Sequence, residues 1–316
     1  MDKPFKTYDT LIRALRKRNM VINNGSEAKR ILERENYYSV INGYKSLFLD
    51  RDSLGHLYNP ERYKTGTSFK EVYYLFELDR KLRNLILPEI IKFESTMKAK
   101  VGHYFHKEYP DKNSFLDFGN YTKKSNKASE VLKTIAILSN SISRQKNNPV
   151  SHYIKNYQHV PLWVLVNYLT FGNISRLYSV CSDRVRLNIA KEISKNYMRE
   201  YNLRSKQVSP EMLDEILGSM VMFRNVCAHD ERLFTYKTKL KAVALEKLLN
   251  KNNIRNGDLF STIVLLKLFL KKSDYKRLLK SLQDLLNDYS NKFTTIKIDE
   301  IKNIIGFDNH WIITNR

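Results

Sequence analysis

The sequence predicts an all-α protein, and three observations predict it. Apolar residues recur at three- and four-residue spacing, as in Leu75, Leu78, Leu82, Leu85 and Ile86, the period of a helix with one buried face. Breakers are scarce, with 10 glycines and 7 prolines against 42% hydrophobic residues in a chain of 316, which favours a folded, mostly helical chain over disorder. Helix starts are written in the sequence, most clearly at Ser209-Pro210-Glu211, a capping serine followed by a proline that needs no N–H in the first turn.

The elements follow in order. Residues 7–18 read as a short basic helix with Leu11, Ile12 and Leu15 apolar and Arg13, Arg16, Lys17 and Arg18 polar. Asn23-Asn24-Gly25 reads as a turn with Ser26 capping a second helix through Ala28, Ile31 and Leu32. Residues 50–68 are polar and read as an irregular connection or short hairpin. A long helix is expected after Ser68, continuing past Pro88, a possible kink, through Ile90, Ile91, Phe93, Met97 and Val101. Residues 107–129 are lysine-rich and expected to be an exposed excursion. Helix resumes over 130–145, Pro149 and Pro161 are expected to bracket a loop, and Leu162–Val166 to open a buried helix with Trp163 in the core. Residues 183–200 form an amphipathic helix. After the Ser209 start, Leu213, Leu217, Met220, Val221 and Arg224 keep helical spacing, and a basic helical tail follows from Lys237 to Leu286 with a turn at Asn252–Gly257. This divides the chain into an N-terminal lobe, residues 1–66, and a larger helical domain, residues 67–316.

Charge narrows the function. Lys and Arg number 55 against 33 acidic residues, a formal net charge of +22, so a polyanion is the expected partner. Cys181 and Cys227 form neither a zinc spacing nor a disulfide framework. The first 19 residues lack the uninterrupted apolar core of a signal peptide, and no apolar run reaches 18 residues. A cytoplasmic protein with no membrane span and no cofactor is expected.

The chemistry-bearing segment is Phe223-Arg224-Asn225-Val226-Cys227-Ala228-His229-Asp230-Glu231-Arg232-Leu233. An arginine clamps phosphate through two parallel donors, and a histidine moves protons near neutral pH. Five residues of ideal helix turn the face by about 500°, leaving Arg224 and His229 roughly 140° apart, whereas Asn225 and His229 share a face. A metal-independent RNA cleavage by this pair needs a base for the ribose 2′-hydroxyl and an acid for the departing 5′-oxygen. One histidine does not easily serve both roles at once, and a two-fold dimer would supply a second. On residue type alone, Arg224 could equally pair with Asp230 or Glu231, and His229 could be a satisfied core histidine.

The same segment, with Glu35-Asn36-Tyr37-Tyr38 and Asn42-Gly43-Tyr44, Phe76–Arg83, Pro161-Leu162-Trp163-Val164 with Phe171-Gly172, and Gly306-Phe307 with Trp311, resembles the Abi-like (Abi-2) abortive-infection family of bacterial phage defence, most closely its D and F types. An Arg-Asn-x-Cys-Ala-His box is the family's strongest pattern; where a further histidine often follows, Asp230 stands here. The resemblance implies a HEPN-like helical bundle with an N-terminal helical lobe and helical insertions, whose Arg-x4-His motif lines a dimer cleft. It implies Arg224 and His229 as catalytic residues with Asn225 in support. It also implies an endoribonuclease leaving 2′,3′-cyclic phosphate ends, toxin-like and restrained by a structured noncoding RNA.

Candidate RNA contacts are Arg80, the aromatic patch Tyr37 and Tyr38 with Lys45, the first-helix cations Arg13, Arg16 and Lys17, and the tail cations Lys271, Lys272, Lys276 and Arg277. Asp79–Arg83 and Glu94–Lys98 read as structural pairs at i,i+4. His103, His106 and Glu108 offer only a weak metal pattern. The competing functions are a non-catalytic RNA-binding component of a ribonucleoprotein and a nucleotidyltransferase-type modifier. The second lacks a Gly-rich phosphate loop and paired metal carboxylates.

Overall fold

The computed structural model describes residues 5–240, 243–250 and 257–307; Trp311 and Asn252–Asn256 lie outside them. Thirteen α-helices run through the described chain: α1 (Tyr8–Lys17), α2 (Gly25–Arg34), α3 (Phe69–Glu108), α4 (Ala128–Ser143), α5 (Pro149–Tyr157), α6 (Leu162–Leu165), α7 (Phe171–Val180), α8 (Asp183–Tyr201), α9 (Pro210–Ala228), α10 (Val243–Leu249), α11 (Leu259–Leu266), α12 (Lys272–Ser290) and α13 (Ile298–Ile304). Extended pairing among the described residues is limited to isolated bridges. The all-helical class therefore holds, with α1 and α2 as an N-terminal lobe.

The described residues cluster into two compact units. One holds the described residues up to Leu85, Asp230–Thr235 and those from Leu278 to Phe307; the other holds Ile86–His229 and the described residues between Tyr236 and Arg277. The boundary falls inside α3 because that helix feeds buried side chains to a core at each end.

In the first unit, α1 and α2 pack as a helical pair through Ile12, Leu15, Ala28, Ile31 and Leu32. Asn24, not Ser26, caps α2, accepting a hydrogen bond from the Glu27 N–H at 3.0 Å. Two residues earlier in the chain, Asn24 has its side-chain oxygen placed over the open donors of the first turn. Residues 49–63 form the short hairpin, bridged at Leu49–Tyr63 and Arg51–Leu57. Glu71 ties the C-terminal part of this unit to α3, accepting from the backbone N–H of Thr294 at 2.6 Å, Thr295 at 2.7 Å and Ser68 at 3.1 Å. Burial works to raise the Glu71 carboxyl, but these hydrogen bonds outweigh it and hold it below its ordinary value.

The second unit is built on the later half of α3. Ile86, Ile90, Phe93, Met97, Val101 and Phe105 form one fully buried stripe. Each such side chain contributes about 1.5–3 kcal/mol by leaving water. α7 packs on α4 and α9, and α9 also meets α8 and α11. All eight residues of α11 are buried, so its apolar run Ile263–Leu266 lies in a core helix. No described helix is long and apolar enough to cross a membrane. Gly257 is required here: its φ is +62°, and a Cβ would fall 1.9 Å from the Thr238 carbonyl oxygen.

Two local expectations fail in this unit, and a third, the exposed excursion, holds except at its anchors. Pro149 starts α5, whose Asn148 and Ser151 form a reciprocal capping box, so no loop spans Pro149 to Pro161. The 107–129 excursion is anchored, with Phe115 and Tyr121 buried and the Tyr121 hydroxyl donating to the Phe115 carbonyl at 2.6 Å. Trp163 is 45% exposed rather than core. α6 is a single turn, so the apolar run around Trp163 buries only Leu162, Leu165 and Val166.

Candidate functional site

Helix α9 carries the Arg224–His229 segment, and its spacing controls what each side chain meets. Leu213, Ile216, Leu217, Met220, Phe223, Val226 and Cys227 face the core. The opposite stripe, Gly218, Met222, Asn225 and His229, is exposed, at steps of four, three and four residues, which is one helix face. The helix ends at His229, whose N–H donates to the Asn225 carbonyl at 2.9 Å. Asp230 then takes a left-handed φ of +57°, a conformation aspartate tolerates better than most residues.

Arg224 lies at the edge of the buried side and turns toward α3. Its Nε is 3.6 Å from Glu94 Oε2, buried, and without a hydrogen-bond partner. Glu94 is itself buried and receives the Lys98 ammonium at 2.8 Å. A buried carboxylate thus stands between two cations, and Arg224 remains 33% exposed. The expected divergence of Arg224 from His229 is present, and no hydrogen bond joins them. The ion pair that Arg224 makes is with Glu94, not with its sequence neighbours Asp230 or Glu231. Arg83 takes the Asp230 carboxylate and, at 3.0 Å, the Glu231 carbonyl; Arg80 stands 3.8 Å from Asp230.

The remaining candidates divide between the units. In the first, Arg80 donates to both oxygens of Glu35, at 3.0 and 2.7 Å, which raises the guanidinium and holds the Glu35 carboxyl below its ordinary value. A phosphate would have to displace that carboxylate. Tyr38 is 73% exposed, whereas Tyr37 is half-buried and burial raises its hydroxyl. Lys45 is ion-paired with Glu61. Arg13, Arg16 and Lys17 are exposed on α1, with Arg16 donating to the Ile22 carbonyl at 3.0 Å. In the second unit, Lys271, Lys272, Lys276 and Arg277 are all exposed at the start of α12, with Arg277 bonded to Asp274. Cys181 is fully buried and its thiol is pushed up to about 12, which makes it an inert core residue. Among the described residues no group of three His, Cys, Asp or Glu side chains could hold a metal ion.

Sequence reasoning missed two features. Glu94 was legible as the partner of Lys98 but not of Arg224, because their meeting depends on how α9 lies on α3. Trp163 lines a groove with His106. The available signal was Gly102, an isolated glycine in a helical pattern, which marks a close backbone approach.

The fold and site thus define a helical protein with a strong positive charge and an arginine–asparagine–histidine set at the end of a half-buried helix. The model of the Abi-like protein family matches residues 30–235, more than half of the chain, and the chain belongs to that family, which is associated with abortive infection and phage defence. No curated protein and no solved structure matches it.

Proposed function

We propose that this protein is a phage-defence effector that binds RNA and cuts it through a HEPN-like domain. The observation that carries the reading is Arg224: a buried Nε without a hydrogen bond, beside exposed Asn225 and His229 on the last turns of α9. The exposed third of this guanidinium can still take a phosphate oxygen, while Glu94 at 3.6 Å leaves Nε without a hydrogen bond.

The reaction is a transesterification. The ribose 2′-oxygen attacks the adjacent phosphorus and loses its proton to one imidazole. The bond from phosphorus to the 5′-oxygen breaks, and a second imidazole protonates that oxygen. The products are a 2′,3′-cyclic phosphate and a 5′-hydroxyl. Arg224 stabilises the charge that builds on the phosphoryl oxygens, and Asn225, on the face of His229, orients the imidazole or the phosphate. The acid–base steps call on no metal. The second histidine comes from a second copy laid along the exposed Gly218–Met222–Asn225–His229 face, whose Met222 is 49% exposed. Lys271, Lys272, Lys276 and Arg277 hold the RNA backbone by charge, and a structured noncoding RNA restrains the enzyme.

A second reading, RNA binding without cleavage, is favoured by the Glu94 carboxylate already beside Arg224. The two are separated by incubating wild type and His229→Ala with total RNA in a chelator and analysing the new ends. Cyclic phosphates made by wild type, and lowered about 10²–10⁴-fold in the variant, are expected. Equal cleavage by both proteins sinks the assignment of His229. RNA bound but uncut by a dimeric wild-type protein leaves the binding module. A strictly monomeric active protein refutes the two-histidine arrangement.

A further inference from the structure

We propose that the groove beside Trp163 is a nucleotide subsite, which seats an unpaired base of the RNA strand held at Arg224. The strand rests on the function proposed above; the groove rests on its own geometry.

The groove has a volume of about 630 Å³, within the range of sites that enclose a small ligand. Its lining includes Ser95, Lys98, His103 and His106 from α3 with Trp163 and Asn167, and no carboxylate lines it. The wall is aromatic. The His106 ring meets Trp163 edge to face, with centroids 4.5 Å apart and planes at 77°, yet Trp163 stays 45% exposed. An indole left half in water while a neighbouring ring fixes it is a stacking platform, and every base has a face to stack on it.

Gly102 builds this wall. A Cβ there would lie 2.9 Å from the Trp163 Cα, so only glycine lets α6 approach α3 closely enough to place the indole beside His106. Asn167 spends its amide nitrogen on the carbonyls of Trp163 and Val164, at 3.1 and 3.3 Å. Its side-chain oxygen is left to accept from the amino group of a base.

The connection to the motif is Glu94. It binds Lys98, a groove residue, at 2.8 Å and stands 3.6 Å from Arg224. One carboxylate therefore holds both cations in the absence of RNA. Successive phosphates of a strand would replace it, one at Lys98 and one at Arg224, with the base between them turned into the groove. A duplex cannot present a base this way, because its bases are stacked inside. A free mononucleotide could fill the groove but would gain nothing from Arg224.

The test uses the full chain with Trp311→Phe, which leaves Trp163 as the sole indole. The probe is a 2′-O-methyl oligoadenylate of about eight nucleotides, a length spanning one single-strand site and unable to undergo attack by a 2′-hydroxyl. Saturable quenching of Trp163 is expected with this strand, with much weaker quenching by the same strand in a duplex and by adenosine monophosphate. Trp163→Ala should weaken strand binding roughly 10- to 100-fold, and Trp163→Phe, which keeps a ring, only a few-fold. Should Trp163→Ala fail to fold, the quenching and the Phe variant decide. Unquenched Trp163 at saturation, or unchanged affinity in Trp163→Ala, overturns the subsite. Adenosine monophosphate binding as tightly as the strand also overturns it, in favour of a mononucleotide site. If His229-dependent cleavage is seen while Trp163 is silent, the subsite fails and the nuclease stands. If the strand quenches Trp163 but nothing is cut, the nuclease fails and the subsite stands.

Discussion

Two arginines on two helices receive opposite treatment. Arg83 is 2% exposed and held by three acceptors: it donates to Asp79 at 2.7 Å, to the Asp230 carboxylate and to the Glu231 carbonyl at 3.0 Å. Asp79 is saturated in turn on one oxygen, accepting from the Tyr44 hydroxyl at 2.6 Å and the Leu233 N–H at 2.9 Å. Arg224 is 33% exposed, 3.6 Å from one carboxylate, with an open buried donor. A buried guanidinium held by several acceptors holds a fold together, because any ligand must first break bonds at least as good as those it offers. One with a donor to spare is available to an anion. The sequence places both near carboxylates; their burial and the acceptors that surround each separate them.

The largest expected effect separates the two directly. Arg83→Met leaves Asp79 buried and unpaired and should cost about 3–5 kcal/mol, read by urea unfolding. Arg224→Met should cost less than about 1 kcal/mol and instead lower RNA cleavage about 10²–10³-fold. If Arg224→Met unfolds as readily as Arg83→Met, the contrast is lost. Pairing Arg83→Met with Asp79→Leu sharpens it. The double variant should recover part of the stability, since no charge is left without a partner; a double variant no better than the single would mean that the contacts to Tyr44 and Leu233 matter more than the ion pair.

Acid tests the same principle on a carboxylate. The folded Glu71 carboxyl lies below its ordinary value of 4.5, so its contribution is full above that value and is lost as pH falls through the depressed one. Glu71→Gln should cost about 1–3 kcal/mol near neutral pH, and the gap from wild type should close below about pH 4.5. A gap independent of pH would assign the effect to packing. The smallest effect is expected at the open site. Glu94→Gln removes the carboxylate that competes for Arg224 and Lys98, and should tighten RNA binding about 2- to 5-fold. Weaker binding would mean that Glu94 orients Arg224 rather than competing for it.

Much of this was legible beforehand. The long helix after Ser68, the Ser209 cap and the i,i+4 pairs Asp79–Arg83 and Glu94–Lys98 all follow from spacing within one helix, where geometry is fixed by 3.6 residues per turn. The Ser26 cap, the Pro149 loop and the buried Trp163 failed because each depends on a shift of a residue or two or on what packs against a single turn. No apolar run reaches 18 residues, yet the short run Ile263–Leu266 lies in the fully buried α11, since burial is set by neighbours and not by run length.

The sequence by itself determined the helical class, the charge that calls for a polyanion, the family, and the divergence of Arg224 from the face shared by Asn225 and His229. These are local or compositional properties, and an isolated helix would already have them. Only the tertiary structure decided that Arg224 meets Glu94 rather than Asp230, that Arg83 takes Asp230, and that Gly102 brings Trp163 beside His106. Those pairings join residues up to 147 positions apart, and which distant partners meet is set by how buried faces pack, a choice that no local spacing contains.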